Sequence, residues 1–117
     1  MDDETLWGDR WPSVNHTPAA ATAAVATKAA AAGKRHQCTG ITLSATAAPA
    51  AAVEATLQVG AVVVERFKIP VVAHLPIVVN FDPPYTGNDN EAVTLTLPSY
   101  GGAVIGSATI RGRSLNV

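Results

Sequence analysis

The sequence predicts an all-β fold, an antiparallel β-sandwich of jelly-roll character with an extended amino-terminal arm. Three observations carry that prediction. Apolar and polar residues alternate in several short runs, most regularly over Val53–Val59 and Val93–Leu97, which is the two-residue period of a half-buried strand. Glycine and proline interrupt those runs at Gly33, Pro49, Gly60, Pro70, Pro76, Pro98 and the pair Gly101 and Gly102. No part of the body shows a convincing amphipathic helix, and strands separated by turns bury their apolar faces most simply by stacking as two sheets.

Residues 1 to 18 read as an arm, and residues 19 to 117 as the sandwich domain. The arm holds both tryptophans, Trp7 and Trp11, with the acids Asp2, Asp3, Glu4 and Asp9, two prolines and no periodicity. Side chains that large are placed on a terminus only to be buried against something. They either fold back on their own domain or dock on a neighbouring subunit or another protein. The second is the expectation, with Trp7, Arg10 and Trp11 as the partner-binding residues, so that a chain lacking residues 1 to 18 should still fold but attach more weakly.

Residues 19 to 33 admit two readings. Thr17 as N-cap, Pro18 at the first helical position, the alanines and Gly33 past the end would spell a helix. An all-alanine surface offers no apolar stripe, however, and Thr22, Ala24, Ala26 and Lys28 alternate with Ala23, Val25 and Thr27. The expectation is a strand over residues 22 to 28 and a turn near Gly33, with the helix as the alternative.

Residues 37 to 45 form the next expected strand. Gly40 marks a bulge there, because the apolar phase changes between Cys38 and Ile41. The alternation of residues 53 to 59, stopped by Gly60 and resumed over residues 61 to 69, predicts a hairpin. After a proline-bounded connection that includes His74, residues 77 to 81 read as a short strand and residues 82 to 90 as a polar corner built on Pro83 and Pro84. Residues 93 to 97 return, Pro98 stops them, and a turn leads to a last strand over residues 103 to 111. Ile77, Val79, Phe81, Val93, Leu95 and Leu97 are the expected core of this half.

The chain has 117 residues, enough for one domain with a thin core, since its apolar content of 48% is mostly small and only 5% of residues are aromatic. A net charge of −1 gives no basic field for a phosphate backbone, so nucleic acid is not an expected partner. The lone Cys38 cannot make an internal disulfide, which fits a reducing cytoplasm, and it reads as a small buried residue. The start Met1-Asp2-Asp3-Glu4 is unlike a signal peptide. The apolar run from 19 to 32 is too short to span a membrane, so no membrane segment is expected.

Chemistry is sparse. His16, His36 and His74 are far apart, and although His36 and Cys38 share a strand face, no third ligand stands beside them. Asp82, Asn88, Asp89, Asn90 and Glu91 are rich in oxygen but lack the ligand order of an EF-hand. No local motif supports a nucleophile and base, and Gly101 and Gly102 lack the lysine and helix of a phosphate loop. Arg111 and Arg113 read as solvated charges on an edge strand that discourage further pairing, or as ligands for a partner's carboxylates. The expectation is a protein that is not an enzyme and takes no cofactor or metal. Pro83, Pro84, Tyr85 and Asn88 form a candidate subunit-contact loop.

Residues 33 to 36 (Gly-Lys-Arg-His) lead into Thr39-Gly-Ile-Thr-Leu-Ser44. A hairpin, Phe81-Asp-Pro-Pro84, Asn90-Glu-Ala-Val-Thr-Leu-Thr-Leu97 and Gly106-Ser-Ala-Thr-Ile-Arg-Gly112 follow. This pattern, over about residues 20 to 113, resembles the small β-sandwich decoration, or cement, proteins of tailed-bacteriophage capsids. The resemblance implies a structural virion protein, made in the host cytoplasm, that binds the major capsid protein on the outer surface and clamps adjacent subunits. It also implies a homo-oligomer, with a trimer favoured. The alternatives are another virion component of the neck, tail or head fibre, or a glycan-binding β-sandwich that would present Tyr85 and Tyr100.

Overall fold

The computed structural model describes residues 9–71 and 76–116, which form nine strands in two antiparallel sheets, with no helix among the described residues. The first sheet holds β1 (Asp9–Arg10), β2 (Val14–His16), β4 (Lys34–Ala45), β7 (Ile77–Asp89) and β9 (Gly106–Asn116). Its order is β1, β9, β4, β7, with β2 also pairing β9. The second sheet holds β3 (Ala24–Lys28), β5 (Val53–Val59), β6 (Val62–Ile69) and β8 (Val93–Leu97), in the order β3, β8, β5, β6. The two sheets enclose one core, so the chain is an all-β sandwich.

Alternation decides which side chains fill it. Val93, Leu95 and Leu97 of β8 and Ala55, Leu57 and Val59 of β5 face Cys38, Ile41 and Leu43 of β4 and Ala108 and Ile110 of β9, all buried. β3 is a strand despite the helix propensity of alanine. Ala24 and Ala26 lie opposite Leu97 and Leu95 and are buried, and this tertiary burial outweighs a local preference worth a few tenths of a kcal/mol per residue. The turn at Gly33 has φ of 78°, and the β5–β6 hairpin turns at Gly60 with φ of 60°.

The bulge at Gly40 is present. Cys38 pairs with Gly112 and Gly40 with Arg111, so Thr39 is the extra residue, and the inward set passes from His36 and Cys38 to Ile41 and Leu43.

Four expectations need correction. Residues 9 to 16 are not a free arm, because β1 and β2 pair with β9 along one side. Residues 82 to 90 are not a corner, since β7 continues to Asp89 and the ladder to β4 resumes at Tyr85 opposite Cys38. Residues 81 to 84 bow out between Asn80 and Tyr85, around a cis Asp82–Pro83 bond, and an edge strand tolerates two prolines that have no N–H to give. Ile77, Val79 and Phe81 are accordingly half-buried, while Val78 faces outward. Finally, the last strand spans Gly106–Asn116 and is interior to the sheet, so Arg111 and Arg113 do not guard an edge.

Candidate functional site

Trp11 lies between β1 and β2, where its backbone N–H donates to Gly112 O at 2.9 Å and its ring turns inward, 5% exposed. The ring rests against Gly112, the one residue type that leaves it room: a Cβ there would lie 2.8 Å from the indole and 2.1 Å from Gln37 O. Trp11 Nε1–H donates to Ser114 Oγ at 2.9 Å, and Ser114 Oγ lies 2.7 Å from His36 Nδ1. His36 Nε2 is 2.7 Å from Ala29 O, which only accepts, so Nε2 carries a proton. In neutral His36, Nδ1 then accepts from the Ser114 hydroxyl, and the whole chain of donors has one direction, from Trp11 through Ser114 to His36 and on to Ala29. The Trp11 and His36 rings meet edge to face at 5.5 Å, and Lys28 Nζ sits 5.7 Å from the indole centroid. Trp11 therefore belongs to its own domain's core, which corrects its assignment to a partner. Trp7 lies outside the described residues.

Above this anchor, on the outward face of the first sheet, is a cleft of about 480 Å³ lined by Arg10, Ser13, Thr39, Arg111 and Arg113, with Trp11 and Gly112 beneath. Its construction follows from strand period. Ile110, Gly112 and Ser114 face inward, so Arg111 and Arg113 share the outer face. The pairing of β1 with β9 then sets Arg10 directly opposite Arg113. Like charges in that position repel, yet none of the three arginines is ion-paired with a carboxylate among the described residues. Two are held in place by neutral partners. Arg111 Nη1 donates to Thr42 Oγ1 at 2.7 Å and Nη2 to Ile41 O at 3.1 Å, while Arg113 Nε donates to Gln37 Oε1 at 2.8 Å. Each guanidinium has five N–H donors, so most remain available. Such an arrangement is suited to carboxylates or other oxyanions.

The second predicted patch is elsewhere. β4 and β9 separate β7 from β1, so Pro83, Pro84, Tyr85 and Asn88 do not join Arg10 and Trp11. Tyr85 Oη donates to Glu65 Oε1 on β6 and its ring meets Phe81 at 5.0 Å, which closes one side of the sandwich. Asn88 is exposed, and its backbone N–H donates to Glu91 Oε1 at 2.8 Å. Asp89 Oδ1 accepts from Gly33 N–H at 2.8 Å, so Glu91 satisfies its own turn and Asp89 the turn that precedes β4. Tyr100 is buried and presents no sugar platform. His16 Nδ1 accepts from Val25 N–H at 2.9 Å, and Cys38 Sγ–H points to Gly40 O. No group of three potential metal ligands occurs among the described residues, and His74 lies outside them.

The period-2 spacing of Arg111 and Arg113 was the readable signal for the cleft. The approach of Arg10 depends on a pairing about a hundred residues away in sequence, which no local pattern encodes.

No family model and no curated protein matches the chain. Among solved structures it is similar to the CBM36-1 domain of a multidomain xylanase from the hindgut metagenome of Trinervitermes trinervoides. The two share 11% identity over 96% of this chain and 92% of that one, with a TM-score of 0.41.

Proposed function

We propose that the protein is a non-catalytic structural subunit that binds carboxylates of a neighbouring subunit within a larger assembly, and that the assembly is a tailed-bacteriophage capsid, on whose outer surface it acts as a decoration protein. The observation that carries the binding mode is the cleft of Arg10, Arg111 and Arg113, three guanidiniums without a carboxylate partner among the described residues. The setting rests on the sequence likeness over residues 20 to 113. Many weak contacts repeated on a lattice add through avidity, so a modest seat of this kind suffices for a cement.

The test is sedimentation with undecorated, expanded phage shells. The protein should pellet with the shells, and Arg111→Gln with Arg113→Gln should release it. Protein left wholly in the supernatant would overturn the capsid setting.

A glycan-binding module is the second reading. The same cleft favours it, because arginine, serine and threonine donors suit an acidic sugar better than a neutral one, and among the described residues the cleft has no exposed aromatic ring to serve as a platform. An array of uronate-bearing and sulfated glycans without signal would remove it.

A further inference from the structure

We infer that the arginine cleft of one copy receives the acidic residues Asp2, Asp3 and Glu4 of a second copy, joining the chains head to tail. This rests on the reading of the cleft as a seat for a neighbouring subunit's carboxylates, and it names that neighbour.

Charge is the first support. Three of the chain's nine acids fall within its first four residues, and residues 1 to 8 contain no lysine or arginine. Opposite them stand three of the eight lysines and arginines, gathered in one cleft with no carboxylate among the described residues. Arginine binds carboxylates through paired, geometrically specific N–H donors, and Arg111 and Arg113 are already fixed by Thr42, Ile41 and Gln37. Little side-chain order remains to be lost on binding.

Direction is the second. β1 runs antiparallel to β9 with Arg10 opposite Arg113 and Asp9 opposite Ser114. Followed toward its amino-terminal end, β1 leads away from Arg111 and off its own cleft. Eight extended residues reach about 26 Å, enough to cross to a copy lying beside β1. Leu6 and Trp7 follow the acids after Thr5, so the same stretch of sequence offers apolar side chains to the contact. A contact between an arm and a cleft is heterologous, and it closes as a ring when the rotation between copies permits.

The experiment measures molar mass of the full chain by sedimentation equilibrium. The unaltered protein should be oligomeric. Reversing the arm (Asp2→Lys, Asp3→Lys, Glu4→Lys) should yield monomers, as should reversing the cleft (Arg111→Glu, Arg113→Glu). A chain carrying both reversals should associate again, because lysines then meet glutamates. The milder Arg111→Gln with Arg113→Gln should weaken association by about tenfold or more, and circular dichroism reports whether each variant folds. An unchanged mass on reversing the arm would overturn the inference, as would failure of the folded double reversal to associate. A monomer whose salt-dependent melting changes with the arm would overturn it too, since the arm would then lie on its own chain. If shell binding needs the arginines while mass ignores the arm, the cleft takes foreign carboxylates and only this inference fails. If the arginines affect neither shell binding nor mass, the reading of the cleft fails with it.

Discussion

Trp11 and Ser114 are 103 residues apart in sequence and joined by a 2.9 Å hydrogen bond from the indole N–H to the hydroxyl. The bond fastens the edge made by β1 and β2 to the inward face of β9, and His36 and Ala29 extend it to the loop that follows β3. Four separate segments meet at one buried serine.

Deleting residues 1 to 18 should therefore destabilise the sandwich and not merely detach it from a partner. The deletion removes β1, β2, the Trp11 anchor and the His16 bond to Val25 N–H. Trp11→Ala alone should cost about 3 to 5 kcal/mol. Urea unfolding followed by circular dichroism measures both, and an unchanged midpoint in the truncated chain would contradict the burial of Trp11.

Ser114→Ala strands two buried groups, the Trp11 N–H and His36 Nδ1. A loss of about 1 to 3 kcal/mol is expected. Its signature is a lower unfolding midpoint with an unchanged urea dependence, since the surface exposed on unfolding stays the same.

Gly112→Ala should be more damaging than its size suggests. The new methyl would meet the backbone oxygen of Gln37 at 2.1 Å, and neither β4 nor β9 can move without breaking the ladder between them. We expect a cost of about 3 kcal/mol or more, measured by thermal unfolding.

Gly40→Ala separates the cleft from the core. Its methyl would lie 2.8 Å from Arg111 Nη2, a flexible end that can swing away, and 3.0 Å from Val79 O. The fold should survive with a loss of about 1 to 2 kcal/mol, while Arg111 loses its place and shell binding falls several-fold. Equal binding by the variant would show that the position of Arg111 does not matter.

Alkaline pH should unfold the protein earlier than neutral pH. Burial pushes the Cys38 thiol from 9.0 up to about 11 and raises Tyr100 above 10.0, while the hydrogen bond to Glu65, followed by desolvation and the charge of Glu65, raises Tyr85. Above pH 9 the unfolded chain releases the Cys38 proton while the folded chain keeps it until about pH 11. The unfolded state then binds fewer protons, so stability is complete below pH 9 and declines as pH rises through that window, by at most about 1.4 kcal/mol per pH unit for that group. Urea midpoints at pH 8 and pH 10.5 test this, and Cys38→Ala should flatten the decline.

The sandwich was legible where a strand keeps one face in the core, as with Val93, Leu95 and Leu97, and where a phase change exposes a bulge, as at Gly40. It was illegible where a distant residue completes the pattern. Gly112 and Ser114 look like the frayed end of a strand because neither is apolar, yet Trp11 supplies the apolar surface over one and the hydrogen bond of the other. Pro83 and Pro84 signalled a break in the ladder, and the strand bows out there, but it does not turn a corner. The return of the ladder at Tyr85 depends on β4 and is invisible nearby.

The interior position of β9 also orders events in time. Everything that β1, β2 and one edge of β4 pair with lies between residues 106 and 116, and is synthesised well after all three. Until the ribosome releases that stretch, the first sheet lacks its central strand, and its unpaired edges are open to mispairing with other nascent chains. The first sheet is thus completed only once β9 has emerged, whatever order its other strands fold in.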